Sequence, residues 1–272
     1  MLLRNTDTTI QNMNLFPCVP KARTLSVRNL VHTVNTEHIL CYILEGSFGL
    51  HIMGQDYIAR QNQMVLFPKD MRRFRWFSPQ KFPKVLEFRF LAEVNGEDFV
   101  SFFNLSSENL VVSLPPDPIL NSYDAMLTDH AWKHDITGRI MLHTELSRLI
   151  GLYMEARLRL ENILAEFSDI LSFMENHLTE DLSLYNLADK IHLNPNYFVT
   201  KFKAHFGISP MQHFAQLRVL EAIRLLRTTD MPIAGIGKAV GIQDFYRFRN
   251  FFSKHTGLRP EEFRKIITSM DL

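Results

Sequence analysis

From residue 163 onward, apolar side chains recur every three or four positions, which is the spacing of amphipathic helices. Polar residues, prolines and glycines at the ends of these runs are typical helix caps. Asn194 is a predicted N-cap with Pro195 at the first helical position, and Gly207 is a predicted C-terminal stop. The pattern predicts an all-α region of seven helices, at residues 163–178, 183–191, 195–206, 210–228, 232–240, 245–256 and from 260 onward.

Two 17-residue stretches of this region, Asn194–Pro210 and Asp244–Pro260, repeat one another at an offset of fifty residues. The matching positions hold Phe198 and Phe248, Phe202 and Phe252, His205 and His255, Gly207 and Gly257, and Pro210 and Pro260. The polar residues between these positions differ from one copy to the other, as expected for one structural unit used twice with two different surfaces. We predict two helix-turn-helix units joined by one long helix: 183–191 with 195–206, 232–240 with 245–256, and the connecting helix 210–228.

The front half has the β-branched and aromatic runs of strands, interrupted by turn signals every 8–12 residues. The segment "HILCYILEGSFGLHIMGQDYIARQNQMVLFP" (38–68) shows this spacing, which predicts a small β-barrel or sandwich. Residues 136–160 have a helical pattern that is apolar on more than one side, so we expect 140–158 to form a dimerisation segment. Residues 155–162 are the predicted hinge. The predicted fold is α+β with two domains, 1–160 and 161–272.

Composition agrees with a globular protein, with 46% hydrophobic and 22% charged residues among 272. The net charge is only +1, but Lys190 to Lys265 hold 13 Lys and Arg against 5 Asp and Glu. Such a local basic excess favours contact with phosphates. The two cysteines form no CxxC or Cys/His cluster, so we expect no zinc site. The first residues lack the apolar core of a signal peptide, and no apolar run approaches the ~18 residues of a membrane span, which predicts a cytoplasmic location without membrane contact.

The polar positions of the two repeated helices fall on one side of each helix. Asn196, Thr200 and Lys203 are spaced i, i+4, i+7, away from the side that carries Phe198 and Phe202. Asn, Thr and Arg suit base edges, whereas Lys and Arg suit phosphates. The 19-residue connecting helix would be ~28 Å long, close to the ~34 Å between successive major-groove faces. The alternative for either helix alone is an ordinary solvated face. The candidate DNA-binding residues are Asn196, Tyr197, Val199, Thr200, Lys203, Tyr246, Arg247, Arg249, Asn250 and Lys254.

Three segments resemble the DNA-binding domain of the AraC/XylS family of bacterial transcription regulators: "LADKIHLNPNYFVTKFKAHFGISP", "RVLEAIRLLRTTDMPIAGIGKAVGIQD" and "FFSKHTGLRPEEFRK". The resemblance implies a transcription activator with double-stranded DNA and RNA polymerase as partners. The second unit departs from the family pattern, with Ile242 in place of Phe, Tyr246-Arg247 in place of Ser-Tyr, and Gly237 in place of Ala. Its base preference therefore does not transfer from the family.

The front half is similar to the cupin-like sensory domain that many family members carry, on the segments "YILEGSFGLHI" and "MVLFPKDMRRF". This resemblance implies a small-molecule effector inside the barrel. A metal-binding cupin needs a His-x-His, Glu and His set, but His51 stands alone and an arginine cluster occupies a position that is often histidine. We therefore expect no metal, no cofactor and no catalytic residues.

Strand alternation predicts which side chains would meet such an effector. Arg73 and Arg75 share one face of their strand, and Leu86 and Phe88 share one face of another; with His51 they are the candidate effector-binding residues. Arginines in an apolar cavity suit an anionic metabolite, such as a carboxylate or a sugar phosphate, and a sugar is a further candidate effector. The alternative is that these arginines lie outside the barrel and are solvated.

The sequence thus predicts a homodimeric transcription regulator that binds DNA and responds to a small molecule. Two alternatives stay open: the front domain binds a partner protein instead, or a metal-free cupin enzyme is fused to a DNA-binding tail. A gain in thermal stability with a metabolite would separate small-molecule sensing from partner-protein sensing.

Overall fold

The computed structural model describes residues 12–18, 20–24, 33–52, 55–70, 72–77, 82–105, 110–127 and 136–268. The chain divides into two compact units, a front unit (Met1–Phe77 with Lys81–Leu160) and a C-terminal unit (Ser78–Gln80 with Glu161–Leu272). The front unit is rich in strands and the C-terminal unit is helical, so the predicted α+β character is confirmed. No helix among these described residues is long and apolar enough to cross a bilayer.

Among its described residues, the front unit contains two antiparallel sheets. Their strands are β1 (Met13–Pro17), β2 (Lys21–Thr24), β3 (Thr33–Val34), β4 (His38–Glu45), β5 (Ser47–Ile52), β6 (Gln55–Arg60), β7 (Gln63–Phe67), β8 (Arg72–Phe77), β9 (Lys84–Val94), β10 (Glu97–Asp98) and β11 (Val111–Ser113). The larger sheet has the order β1-β9-β4-β7-β11, with β2 and β10 also pairing with β9. The smaller sheet has the order β3-β8-β5-β6. Closure of these sheets into a cupin barrel stays a prediction.

Helices cover one face of the larger sheet. They are α1 (Phe99–Phe102), α2 (Pro116–Leu127) and α3 (Ile136–Glu166). The ring of Phe88 in β9 lies 6.3 Å from that of Tyr123 in α2, and the ring of Phe90 lies 5.9 Å from that of Phe99 in α1. In α3, the Tyr153 hydroxyl donates a hydrogen bond to a backbone carbonyl oxygen that is 3.1 Å away. These contacts bury the aromatic face of β9 against helices.

The apolar side chains of α3 mostly point into the front unit. Leu142, Leu146, Leu149, Ile150 and Tyr153 are all buried. The exposed apolar side chains lie towards the two ends of this segment, at Ile136, Ile140, Met141 and Leu158. The apolar breadth that predicted a dimer surface over 140–158 therefore arises largely from core packing, and a smaller apolar surface is left for a partner.

Residues 155–162, which were predicted as a hinge, lie within α3 and are helical. Their sequence, "EARLRLEN", has no glycine or proline and consists mostly of strong helix formers. The helix predicted at 163–178 is divided at Phe167, which has φ −99° and ψ 8° at the N-cap of α4 (Ser168–Asn176). The Phe167 ring packs 5.6 Å from that of Phe202 and 5.3 Å from that of Phe206, so tertiary packing accounts for the break.

His38 is a buried polar group in the front unit. Its Nδ1 accepts a hydrogen bond from the Lys69 backbone N–H (3.1 Å), so Nε2 carries the proton and donates to Asp98 (3.1 Å). Burial lowers the pKa of His38 below its ordinary value, although the neighbouring Asp98 carboxylate acts in the opposite direction. The folded state therefore holds this histidine neutral.

The C-terminal unit continues with α5 (Leu184–Lys190), α6 (Pro195–Phe206), α7 (Pro210–Thr228), α8 (Ile233–Ala239), α9 (Phe245–Thr256) and α10 (Pro260–Thr268). Side-chain oxygens of Ser183, Asn194, Ser209 and Asp244 accept hydrogen bonds from backbone N–H groups at the helix starts. α5 with α6 and α8 with α9 form the two helix-turn-helix units, and α7 connects them. Local caps thus account for the agreement between predicted and observed helix ends.

Candidate nucleic-acid interface

The repeated aromatic frame forms the buried side of both recognition helices, α6 and α9. Phe198 and Phe202 of α6 are fully buried, and so are Phe248 and Phe252 of α9. Each helix ends at a glycine in the left-handed conformation, Gly207 (φ +73°) or Gly257 (φ +77°). The repeated residues therefore set the orientation of each helix and leave the variable residues on the opposite side.

The opposite sides of α6 and α9 are exposed, and three of the exposed positions match in the repeat, namely 196 with 246, 197 with 247 and 200 with 250. On α6 the exposed side chains are Asn196, Tyr197, Thr200 and Lys203. On α9 they are Tyr246, Arg247, Asn250 and Lys254. The two tyrosines are 56% and 70% exposed, which leaves their rings open to a partner. The structure therefore brings eight of the ten candidate residues onto two exposed faces, six of them at equivalent positions of the repeat, whereas Lys203 and Lys254 are one position out of register.

Val199 and Arg249 do not lie on these exposed faces. Both occupy the same position in the repeat, and both are half-buried. The Arg249 Nε atom is 3.1 Å from a Glu261 carboxylate oxygen of α10, in an ion pair without hydrogen-bond alignment. Its guanidinium lies over the Phe245 ring at 5.5 Å. Arg249 thus connects α9 to α10, which differs from its predicted position among exposed DNA-binding residues.

The turn inside each helix-turn-helix unit has one residue in the left-handed conformation. This residue is His192 (φ +53°) in the first unit and Gly241 (φ +78°) in the second. A Cβ atom at Gly241 would lie 2.5 Å from the Leu178 carbonyl oxygen and 2.7 Å from Arg218 Nη2. The second turn therefore needs glycine for space as well as for its backbone angle.

Gly237 explains one departure from the family pattern. A Cβ atom there would lie 3.0 Å from both the Ile242 carbonyl oxygen and the Phe248 ring. The equivalent residue of the first unit is the buried Ala188. The packing of α8 on α9 thus leaves little room for a methyl group at position 237.

An arginine closes each unit, a feature that sequence reasoning missed. Arg218 of α7 donates from Nε to the Leu178 carbonyl oxygen (2.9 Å) and from Nη2 to that of Glu180 (2.6 Å). Arg264 of α10 donates from Nη2 to the Met231 carbonyl oxygen at 2.7 Å. Burial lowers the pKa of Arg218 below its ordinary value. In each helix-turn-helix unit, an arginine of the helix that follows the recognition helix (α7 or α10) therefore binds backbone carbonyl groups of the segment that precedes the first helix of the unit.

The candidate effector residues of the front unit do not share one face. Positions 73 and 75 in β8 lie opposite Ile52 and Leu50 of β5, both of which are buried; the side chains of β8 lie outside the described residues. His51 alternates with these two and lies on the other face, where its Nδ1 is 3.0 Å from an Asp56 carboxylate oxygen. Leu86 and Phe88 belong to the larger sheet, and their face of β9 meets α2. The register thus groups the two arginine positions and separates His51 from them.

A buried carboxylate on the other face of β9 was also missed. Glu87 is 2% exposed, and its Oε2 is 3.0 Å from Arg89 Nη2 and 3.4 Å from Arg23 Nε. Beside it, the Cys18 thiol donates a hydrogen bond to Glu37 at 2.8 Å. Burial raises the pKa of Cys18 to about 11, and the contact with Glu37 adds to the shift. The available signal was an acidic residue, Glu87, placed between the apolar residues Leu86 and Phe88 of the strand.

The C-terminal unit matches known proteins. A family of helix-turn-helix domains matches residues 187–266. The MmsAB operon regulatory protein of Pseudomonas aeruginosa is 39% identical over 94 residues, which are 35% of this chain and 31% of that protein. The arabinose operon regulatory protein of Escherichia coli is 34% identical over 93 residues, which are 34% of this chain and 32% of that protein. The chain thus spans about a third of the length of these curated relatives.

A solved structure of an AraC-type transcriptional regulator from Chromobacterium violaceum is 26% identical and covers 39% of this chain and 94% of its own. The TM-score of this comparison is 0.36. The sequence matches fall on the two repeated units, and the structure shows those units with their caps and buried frames. The C-terminal unit of this chain is therefore a helix-turn-helix domain of the AraC/XylS family.

Proposed function

We propose that this protein is a sequence-specific DNA-binding transcription regulator, in which α6 and α9 enter two successive major grooves. The observation that carries the proposal is the pair of exposed faces, which share three matching positions of the repeat. Asn196 and Thr200 on α6 match Tyr246 and Asn250 on α9, and all four side chains are exposed. The names of the relatives also support a regulator over an enzyme.

The exposed side chains have the chemistry that two kinds of DNA contact require. Asparagine can form paired hydrogen bonds with an adenine edge, and such a contact contributes about 1–3 kcal/mol of discrimination between bases. Lys203 and Lys254 are exposed in the later turns of their helices and suit phosphate oxygens. Arg247 is exposed near the start of α9 and can serve either purpose. We assign base contacts to the asparagines and phosphate contacts to the lysines.

DNA binding is tested by selecting preferred sites from randomised duplexes with the full chain, followed by titrations over a range of salt concentrations. Each phosphate contact contributes about one unit to the slope of log K against log salt. Lys203→Gln should lower this slope by about one unit. Lys265→Gln is the matched control, since this lysine is exposed in the last turn of α10 and belongs to neither recognition helix. Absence of DNA affinity at ~50 mM salt would refute the proposal, because non-specific binding is strongest at low salt.

We further propose that a small molecule controls this activity from the front unit. The support is the position of residues 73 and 75 on the face that carries the buried Leu50 and Ile52. Arginines beside apolar side chains suit an anionic metabolite. A thermal-shift screen of carboxylates and sugar phosphates tests this, with Arg75→Gln as the variant that should lose the response. A uniform lack of response would favour control by a partner protein.

We propose that the protein acts as a homodimer through the start of α3. Ile136 and Ile140 are 75% and 60% exposed, and a groove lined by both continues past His143 to Phe16 of β1, which is 56% exposed. Burial of these side chains against a second copy would remove a contiguous apolar surface from water.

Activation of transcription through contact with RNA polymerase completes the proposal. A promoter fusion in cells with and without the gene would establish whether the protein activates or represses transcription.

A further inference from the structure

Arg218 also lies against Gly241, in the turn of the second helix-turn-helix unit. Among the described contacts, Arg264 has no equivalent neighbour in the first helix-turn-helix unit. The Arg218 Nη2 atom would lie 2.7 Å from a Cβ at Gly241. The same Cβ would lie 2.5 Å from the Leu178 carbonyl oxygen, which accepts the Arg218 Nε–H. The turn of the second unit is therefore in direct contact with the arginine and the carbonyl group that close the first unit.

This contact lies at the start of the second recognition helix. Gly241 precedes the N-cap of α9, Asp244, by three residues, and the Asp244 side chain accepts from the Arg247 backbone N–H at 2.7 Å. Arg247 is also close enough to Arg218 to lower the pKa of that guanidinium, adding to the effect of burial. A shift of Gly241 would therefore move the end of α9 that carries Tyr246 and Arg247.

Arg218 is itself held firmly. Its guanidinium lies 4.5 Å from the centre of the Phe214 ring, and its two donated bonds run to carbonyl oxygens two residues apart. A planar guanidinium can satisfy such a pair at once, whereas a lysine ammonium on a flexible stem does not reproduce this fork. By contrast, Arg264 and the carbonyl groups that it binds belong to the second unit alone.

We propose that Arg218 and Gly241 are positioning residues that hold α9 at one separation from α6. The protein then accepts one spacing between its two half-sites on DNA, which are the base pairs that face α6 and the base pairs that face α9 of the same chain. The inference rests on the proposed DNA binding and adds a property that DNA binding alone does not require. One inserted base pair moves the second half-site by about 3.4 Å and rotates it by about a tenth of a turn. A rigid pair of helices cannot follow this rotation and loses the contacts of one half.

The test uses the full chain and duplexes selected for tight binding by the wild type, with no, one or two base pairs inserted between the two half-sites. The measured quantity is the ratio of Kd values with and without an insertion. The variants are Arg218→Lys and Gly241→Ala, which disturb the contact from its two sides. Arg264→Lys is the matched control, because it breaks an equivalent arginine–carbonyl contact inside one unit. Helical circular dichroism of each variant reports whether it is folded.

For the wild type and Arg264→Lys, we expect one inserted base pair to weaken binding about tenfold or more, because base contacts of one half-site are lost. For Arg218→Lys and Gly241→Ala, the ratio should fall to about threefold or less, since a loosened α9 can follow the half-site. A ratio that stays at the wild-type value in either folded variant overturns the inference, as does a wild type that tolerates the insertion. Failure of the proposed function is distinct from these results, since the wild type would then bind no duplex at all.

Discussion

Gly241→Ala should destabilise the C-terminal unit more than Gly207→Ala, although the two glycines have nearly the same backbone angle. Their φ values are +78° and +73°. The left-handed conformation costs a residue with a Cβ atom about 1–2 kcal/mol, and this cost applies to both substitutions. No atom lies within 4 Å of a Cβ added at Gly207, so this substitution carries only the backbone cost.

At Gly241, the added methyl group also meets the Leu178 carbonyl oxygen at 2.5 Å and Arg218 Nη2 at 2.7 Å. These distances are far below van der Waals contact, so the turn has to move. Forcing an extra methyl group into a packed site typically costs about 1–3 kcal/mol. We therefore expect about 1–2 kcal/mol for Gly207→Ala and about 2–5 kcal/mol for Gly241→Ala.

Urea unfolding of the full chain measures both values. Circular dichroism at 222 nm follows helix, which the C-terminal unit supplies in large part. The two tryptophans, Trp76 and Trp132, belong to the front unit, so their fluorescence provides an internal reference that neither substitution should shift. His192→Gly is the opposite control, because it removes a Cβ atom from a left-handed residue with φ +53°. The gain is partly offset by the greater entropy of glycine in the unfolded chain, so the C-terminal unit should be stabilised by about 0.5 kcal/mol.

Equal losses for the two alanine variants, within about 0.5 kcal/mol, would refute this reasoning, because the error of comparing single variants is of that size. The close contact at Gly241 would then add nothing to the loss of unfolding free energy that the backbone angle causes. A fluorescence transition that moves together with the helical signal would show that the two units unfold as one.

Four further predictions concern the site and the front unit. Asn196→Ala should relax base preference in one half-site by about 1–3 kcal/mol, measured by repeated site selection, and an unchanged preferred sequence would contradict this. Arg249→Ala should destabilise α9 on α10 yet leave the salt slope of DNA binding unchanged, whereas Lys254→Ala should lower the slope by about one unit; the reverse pattern would exchange their roles. The front unit should lose stability as the pH falls below about 6.5, because burial keeps His38 neutral with a lowered pKa; tryptophan fluorescence should show a smaller pH dependence for His38→Gln, and an equal one would exclude this histidine as the source. Ile140→Glu should shift sedimentation of the full chain towards a monomer, and a strict monomer already in the wild type at tens of micromolar would end the dimer proposal.

The helices of the C-terminal unit and their repeat could be predicted from local sequence. The caps at Asn194 and Asp244 and the stops at Gly207 and Gly257 act within a few residues of the chain, so local sequence is enough to place the ends of α6 and α9. The buried frame could be predicted for the same reason, since a helix of known phase places its apolar positions on one side. The strand character of the front half was equally visible, because it depends on alternation along short segments.

Contacts between distant segments determine which of several similar side chains are exposed and how the two helix-turn-helix units are connected. Arg247 and Arg249 have the same chemistry, but the second is half-buried, pairs with Glu261 of another helix and lies over the Phe245 ring. The contact of Arg218 with carbonyl groups forty residues away, and the need for glycine at Gly241, depend on chain segments that meet only in the folded unit. The residues expected as a hinge, 155–162, are continuous helix in α3, and the boundary between the two compact units lies among them, at Leu160 and Glu161. Contacts between distant segments leave no local pattern, and therefore the sequence could not reveal them.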